Sequence, residues 1–170
     1  MQTFLPLEGF AETAAVLDPR RLGKQRVEAL QVLRALTVPG YGWRHHPAVR
    51  MWIGYPEAFA RYGLEICEVW RRAGRPDTCA VALAAELAER CRVLRVRSQR
   101  ELAAAGEVPP WLGMAAFHRS HRSALVRKDP TWYRRYFPDI EDDLPYVWPR
   151  SDRDPAAGAP KPDGGTDTRP

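Results

Sequence analysis

The chain has 170 residues, 45% of them hydrophobic, which suits one compact domain with an ordinary core. No run nears the roughly 20 apolar residues of a membrane span, and "MQTFLPLEGF" lacks the basic start and long apolar segment of a secretory signal, so a cytoplasmic protein with no membrane partner is expected. The net charge is +5, and residues 151–170 hold three basic and four acidic groups, which leaves +6 on the rest and suggests a polyanionic partner.

In chain order, Thr3–Leu5 reads as a short extended start ending at Pro6, and Phe10–Leu17 as one or two helical turns. Asp18 is a natural N-cap with Pro19 at the first helical position, opening a helix that ends before Pro39-Gly40. Leu22, Ala29, Leu30, Leu33 and Leu36 form its apolar stripe, while Arg21, Lys24, Glu28 and Gln31 fall on the opposite face. After the loop "PGYGWRHHP", a helix is expected from Ala48 to Arg72, bent near Gly54 or Pro56, and another from Asp77 to Arg92. "RVLRVRSQR" is a basic patch, "AAAGEVPPWLG" a loop, and "MAAFHRSHRSALVRK" a last helix stopped by Asp129-Pro130.

Little of this alternates with a period of two, so the fold class is mainly α: a single compact helical domain over residues 1–149. Residues 150–170, rich in Pro, Gly and Asp, bury too little to offset ordering entropy and are expected to form a disordered tail. Cys67, Cys79 and Cys91 are odd in number and lack the close pairing of metal sites, which points to reduced, buried thiols.

The stretch Phe117–Asp139 gathers six Lys/Arg, two His and five aromatics against two acids. Arg119, Arg122, Arg127, Lys128, Arg134 and Arg135 are suited to neutralise phosphates, and Trp132, Tyr133 and Tyr136 to stack on bases, although a solvated basic helix with core aromatics gives the same pattern. His118 and His121 share a helical face, whereas His45 and His46 are adjacent and diverge; four ligands at metal spacing are missing, so hydrogen-bonded or phosphate-facing histidines are the better reading, with no metal and no cofactor. Glu28 on a cationic face is either a Lys24 partner or a catalytic carboxylate, and spacing does not separate the two.

"MQTFLP", "LDPRRLGKQRVEALQ", "YGWRHHPAVRMW", "FHRSHRSALVRKD" and "DDLPYVWP" together resemble a bacterial branch of the pyrimidine-dimer DNA glycosylase (endonuclease V) family, over almost everything from Met1 to Pro149. The link to the phage enzyme from which the family is known rests on Leu22 followed six residues later by Glu28, and on Pro130–Tyr133 followed by Tyr136. The resemblance implies a helical domain that bends duplex DNA, flips a nucleotide and joins an N-terminal α-amine to the damaged sugar with help from the glutamate. It therefore implies a repair glycosylase with abasic-site lyase activity, acting as a monomer on pyrimidine dimers or abasic sites.

By that resemblance Met1 and Glu28 are the catalytic residues. Arg21, Lys24, Arg26, His118, Arg119, Arg122 and Arg127 contact DNA, and Trp132, Tyr133 and Tyr136 manage bases. The phage enzyme has a small threonine after a removed initiator methionine, whereas Gln2 follows Met1 here. Met1 itself supplies the amine, or another amine such as Lys24 substitutes, or the chemistry differs. A free α-amine, with a reference pKa near 7.7–8.0, is neutral in roughly a tenth of molecules at pH 7, and a lysine near 10.4 in fewer than about one in a thousand, which favours Met1. A non-catalytic DNA-binding module of the same fold and an enzyme for free nucleotides are the alternatives.

Overall fold

The computed structural model describes residues 1–155. Its helices are α1 (Phe10–Val16), α2 (Pro19–Thr37), α3 (Pro47–Arg50), α4 (Pro56–Arg72), α5 (Cys79–Cys91), α6 (Gln99–Ala104), α7 (Ala115–Lys128) and α8 (Pro130–Tyr133), and no strand occurs among the described residues. The mainly helical reading of the sequence holds.

The predicted start of α2 is observed. The Asp18 side chain accepts from the backbone N–H of Arg20 and Arg21 at 3.0 and 3.1 Å, satisfying two of the donors a helix start leaves open. Burial alone would raise the Asp18 carboxyl, but hydrogen bonds from Tyr133 and Arg21 outweigh it and hold the group below its usual range. Leu22, Ala29, Val32 and Leu33 are buried where α2 packs on α4 and α5, and α1 lies against α4.

The helix expected over 48–72 is broken in two. Gly54 takes a left-handed φ of +83°, and Pro56, lacking an N–H, restarts the chain at the first turn of α4. A side chain at Gly54 would also collide with Arg153, 2.5 Å from the Cβ position. The next helix begins at Cys79, because Asp77 accepts from the N–H groups of Cys79 and Ala80 at 3.2 and 2.9 Å. α6, which was not among the expected elements, is fixed by a capping box between Ser98 and Glu101.

The centre of the molecule is aromatic. Trp52 is fully buried, with Phe59 and Trp111 edge-on at 5.0 and 4.9 Å between centroids. Each such pair adds about 0.5–1.5 kcal/mol beyond area burial.

The chain beyond Pro149 does not leave the domain at once. Ser151 donates to the carbonyl of Ile53, Tyr55 donates to Asp152 at 2.8 Å, and Arg50 grips Asp154 at 2.7 Å. The packed unit thus extends to Asp154, a correction to the boundary at 149/150. Docking here is by polar groups, which a criterion of apolar content does not register. The rest of the expected tail lies outside the described residues. Among the described residues no helix is long and apolar enough to cross a membrane.

Candidate active site

Residues 1–7 run through the interior without a sheet, so their backbone groups need other partners. Side chains supply them. Gln25, buried on α2, donates to the carbonyl of Gln2 at 2.7 Å and accepts from the N–H of Phe4 at 3.1 Å. Tyr62 donates to the carbonyl of Phe4 at 2.9 Å, and Arg122 to that of Pro6 at 2.7 Å. His121 Nδ1 accepts from the N–H of Leu5 at 3.0 Å, while His118 Nδ1 lies 2.8 Å from the carbonyl of the same residue. His118 Nε2 accepts from the N–H of Gly113 at 3.0 Å, so Nδ1 carries the proton toward Leu5. Burial lowers the pKa of both rings, that of His121 to about 3 with a smaller contribution from His118, and so keeps them neutral in these roles.

This clamp fixes where the chain begins. The Met1 α-amine lies 3.6 Å from Glu28 Oε1, and both side chains are buried. Lys24 Nζ approaches the same oxygen at 3.7 Å from the solvent side. The pair sits in a groove of about 450 Å³, within the range of ligand sites. Arg20, Arg21 and Lys24 from the first turns of α2 line it, and Lys128 closes it from the end of α7. Its other wall is formed by Tyr146, Trp148 and His46, with Tyr146 and Trp148 at 5.4 Å between centroids and Trp148 edge-on to His46 at 6.2 Å. His46 Nδ1 accepts from the N–H of Ala48 at 3.1 Å, capping α3. Burial, and then the nearby terminal ammonium, lower the pKa of this imidazole.

Of the residues expected from the sequence, Met1, Glu28, Arg21, Lys24 and Lys128 meet in this groove. Others are occupied elsewhere. Arg26 pairs with Asp77 and covers the Trp70 ring at 4.3 Å, tying α2 to the start of α5. His118 and Arg122 hold the N-terminal segment, as above. Arg119 pairs with Glu141, and Arg127 donates to the carbonyl of Asp142 at 2.6 Å. Trp132 donates to the carbonyl of Val16 at 3.0 Å beneath Arg135, and Tyr136 remains 40% exposed beside the same guanidinium. Tyr133 is fully buried, so its ring has no face to offer a base, which corrects its expected role.

The Tyr133 hydroxyl instead donates to the Asp18 carboxylate and accepts from the Asp18 N–H at 3.1 Å. Tyr133→Phe is therefore expected to lower the unfolding free energy by about 1–3 kcal/mol, read by urea denaturation, because it strands buried groups at the start of α2. DNA affinity should be unaffected. Unchanged stability would show that the hydroxyl does not hold the start of α2.

The groove residues that sequence reasoning did not place are Arg20, Tyr146 and Trp148, together with His46, which was noted only as one of an adjacent pair. The signal for Tyr146 and Trp148 was present in "DDLPYVWP", as an aromatic pair at i and i+2.

An α-amine paired with a carboxylate on the floor of a cationic, aromatic-walled groove defines the class: a small helical protein with an amine-bearing site suited to a phosphate-rich ligand. Residues 1–83 match the family model described as pyrimidine dimer DNA glycosylase, which supports the family that the sequence resembles. The match takes in the amine, Glu28, Lys24 and His46 and ends before Lys128, Tyr146 and Trp148. No curated protein and no solved structure matches the chain.

Proposed function

We propose that the protein is a DNA repair glycosylase with abasic-site lyase activity, acting on pyrimidine dimers or abasic sites in duplex DNA. The observation that carries this reading is the Met1 amine held 3.6 Å from Glu28 at the base of the cationic groove. The unprotonated amine attacks C1′ of the damaged nucleotide, the bond from C1′ to the base breaks, and the base leaves with the bonding electron pair. Ring opening gives an iminium joining Met1 to the sugar. At an abasic site the same iminium forms from the aldehyde with loss of water. The iminium acidifies C2′, a base removes that proton, and the C3′–O bond breaks to release the 3′ phosphate. Glu28 takes protons in these steps or stabilises the opened sugar, a contribution of typically 10²–10⁴-fold.

Arg20, Arg21, Lys24 and Lys128 hold phosphates, and Tyr146 with Trp148 offers a face for an unstacked base. In this reading the protein works as a monomer in the cytoplasm, with no cofactor.

The deciding experiment incubates the protein with dimer-containing, abasic and undamaged duplexes and reads strand cleavage. Cleavage confined to the damaged duplexes is expected, and binding without cleavage of any would favour the non-catalytic module. A salt series adds a second readout: Lys128→Ala should weaken binding to all sequences alike and lower the slope of log affinity against log salt by about one. Affinity indifferent to salt would remove nucleic acid as the partner.

A further inference from the structure

We propose that Trp43 is a wedge, carried on the loop between α2 and α3, that enters the base stack of duplex DNA at the gap left by a nucleotide drawn into the groove. The inference rests on the glycosylase reading and adds to it the element that opens the duplex.

Trp43 is 49% exposed, and every other tryptophan among the described residues is buried or partly buried. An indole of this size left in water needs an explanation, because tryptophan otherwise gains more from burial than nearly any side chain. Tyr41 anchors the Trp43 loop on the core, while the backbone on either side faces open space: Cβ atoms at Gly40 and Gly42 would have nothing within 4 Å. The loop is nonetheless shaped, since Arg44 N–H donates to Tyr41 at 3.4 Å and His46 N–H to Trp43 at 2.9 Å, both to carbonyls. Gly40 supplies the left-handed turn, at φ +77°, that lets the chain leave α2 and return.

Position and charge identify the occupant. Trp43 meets His46 edge-on at 5.8 Å, and His46 lines the groove, so the indole stands on the rim of the site. Arg44 and His45 flank it in solvent, and no acidic residue occurs from Val38 to Arg50, which suits a surface approached by phosphates. A flat apolar ring projecting beside a cationic groove is what a kinked duplex accepts between base steps, where it offsets the loss of stacking.

The test compares the full chain with Trp43→Ala and Trp43→Phe on three probes: an intact duplex, the same duplex carrying a tetrahydrofuran abasic analogue, and a single strand carrying that analogue. Trp43→Ala is expected to weaken binding to the analogue duplex by about tenfold, the scale of one lost stacking contact. Binding to intact duplex and single strand should stay within about twofold, since neither offers a gap to fill. Trp43→Phe should keep most of the analogue affinity. 2-Aminopurine beside the analogue should change its fluorescence with the parent and not with Trp43→Ala. Equal weakening on every probe, or none on the analogue duplex, overturns the wedge. Borohydride trapping by the parent on an abasic duplex tests the glycosylase reading separately, so failure there and failure of the wedge are distinguishable.

Discussion

Glu28→Gln is expected to abolish strand cleavage, by at least about a hundredfold, while leaving the fold and DNA affinity in place. Glutamine keeps the volume of a side chain that is only 10% exposed, so the packing of α2 is not disturbed. It removes the acceptor of protons 3.6 Å from the Met1 amine. It also removes one negative charge from a groove lined by Arg20, Arg21, Lys24 and Lys128, so affinity for duplex at low salt should hold or rise. Single-turnover cleavage of an abasic duplex, with circular dichroism and a binding isotherm on the same preparation, reads all three. The competing account makes Glu28 a helix-surface partner of Lys24, worth about 0.2–0.5 kcal/mol. That account predicts cleavage like the parent. It is already strained by the burial of Glu28 and by the second cation, the terminal amine, at the same oxygen.

What the sequence discloses about this site follows from how local each signal is. Asp18, Pro19 and the Arg21–Lys24–Glu28 row are fixed by spacing along one helix, and both the start of α2 and the cationic face are found as expected. α6 and α8 are six and four residues long, too short for a periodic pattern to stand out, although the Ser98–Glu101 cap of α6 was readable. The basic stretch is ambiguous for a physical reason. Lys128 lines the groove, whereas the groups that answer Arg119 and Arg127 come from residues 141 and 142, just beyond Asp139.

Aromatic side chains misled in a second way. A tyrosine among arginines reads the same whether its ring meets a base or its hydroxyl serves a buried N-cap, and Tyr133 does the latter. Tyr146 and Trp148 reach the groove from the far end of the chain, through tertiary packing alone. The clamp on residues 2–6 was equally hidden. Gln25, Tyr62, His118, His121 and Arg122 come from three different helices, and no local pattern links them.

That clamp gives the identity of the attacking amine its sharpest test. Borohydride reduction during incubation with an abasic duplex should trap a covalent protein–DNA adduct, and peptide mapping should place it on Met1. Lys24→Ala should still trap, because Lys24 Nζ is 72% exposed and meets Glu28 only from the solvent side. One residue added before Met1 should abolish trapping with the fold intact. Gln25 holds both Gln2 and Phe4, so the register of the segment cannot slide to compensate, and each added residue carries the amine up to about 3.3–3.6 Å away. Glu28 is then left facing a peptide N–H, which has no lone pair to give a carbon centre. Reductive methylation of the α-amine to a tertiary amine should act likewise, since the nitrogen then has no N–H to lose after adding to the aldehyde and cannot expel water to form the iminium. An adduct mapped to Lys24, or trapping that survives the extension, would move the nucleophile off the N-terminus. The clamp would then serve only to close the core over Glu28.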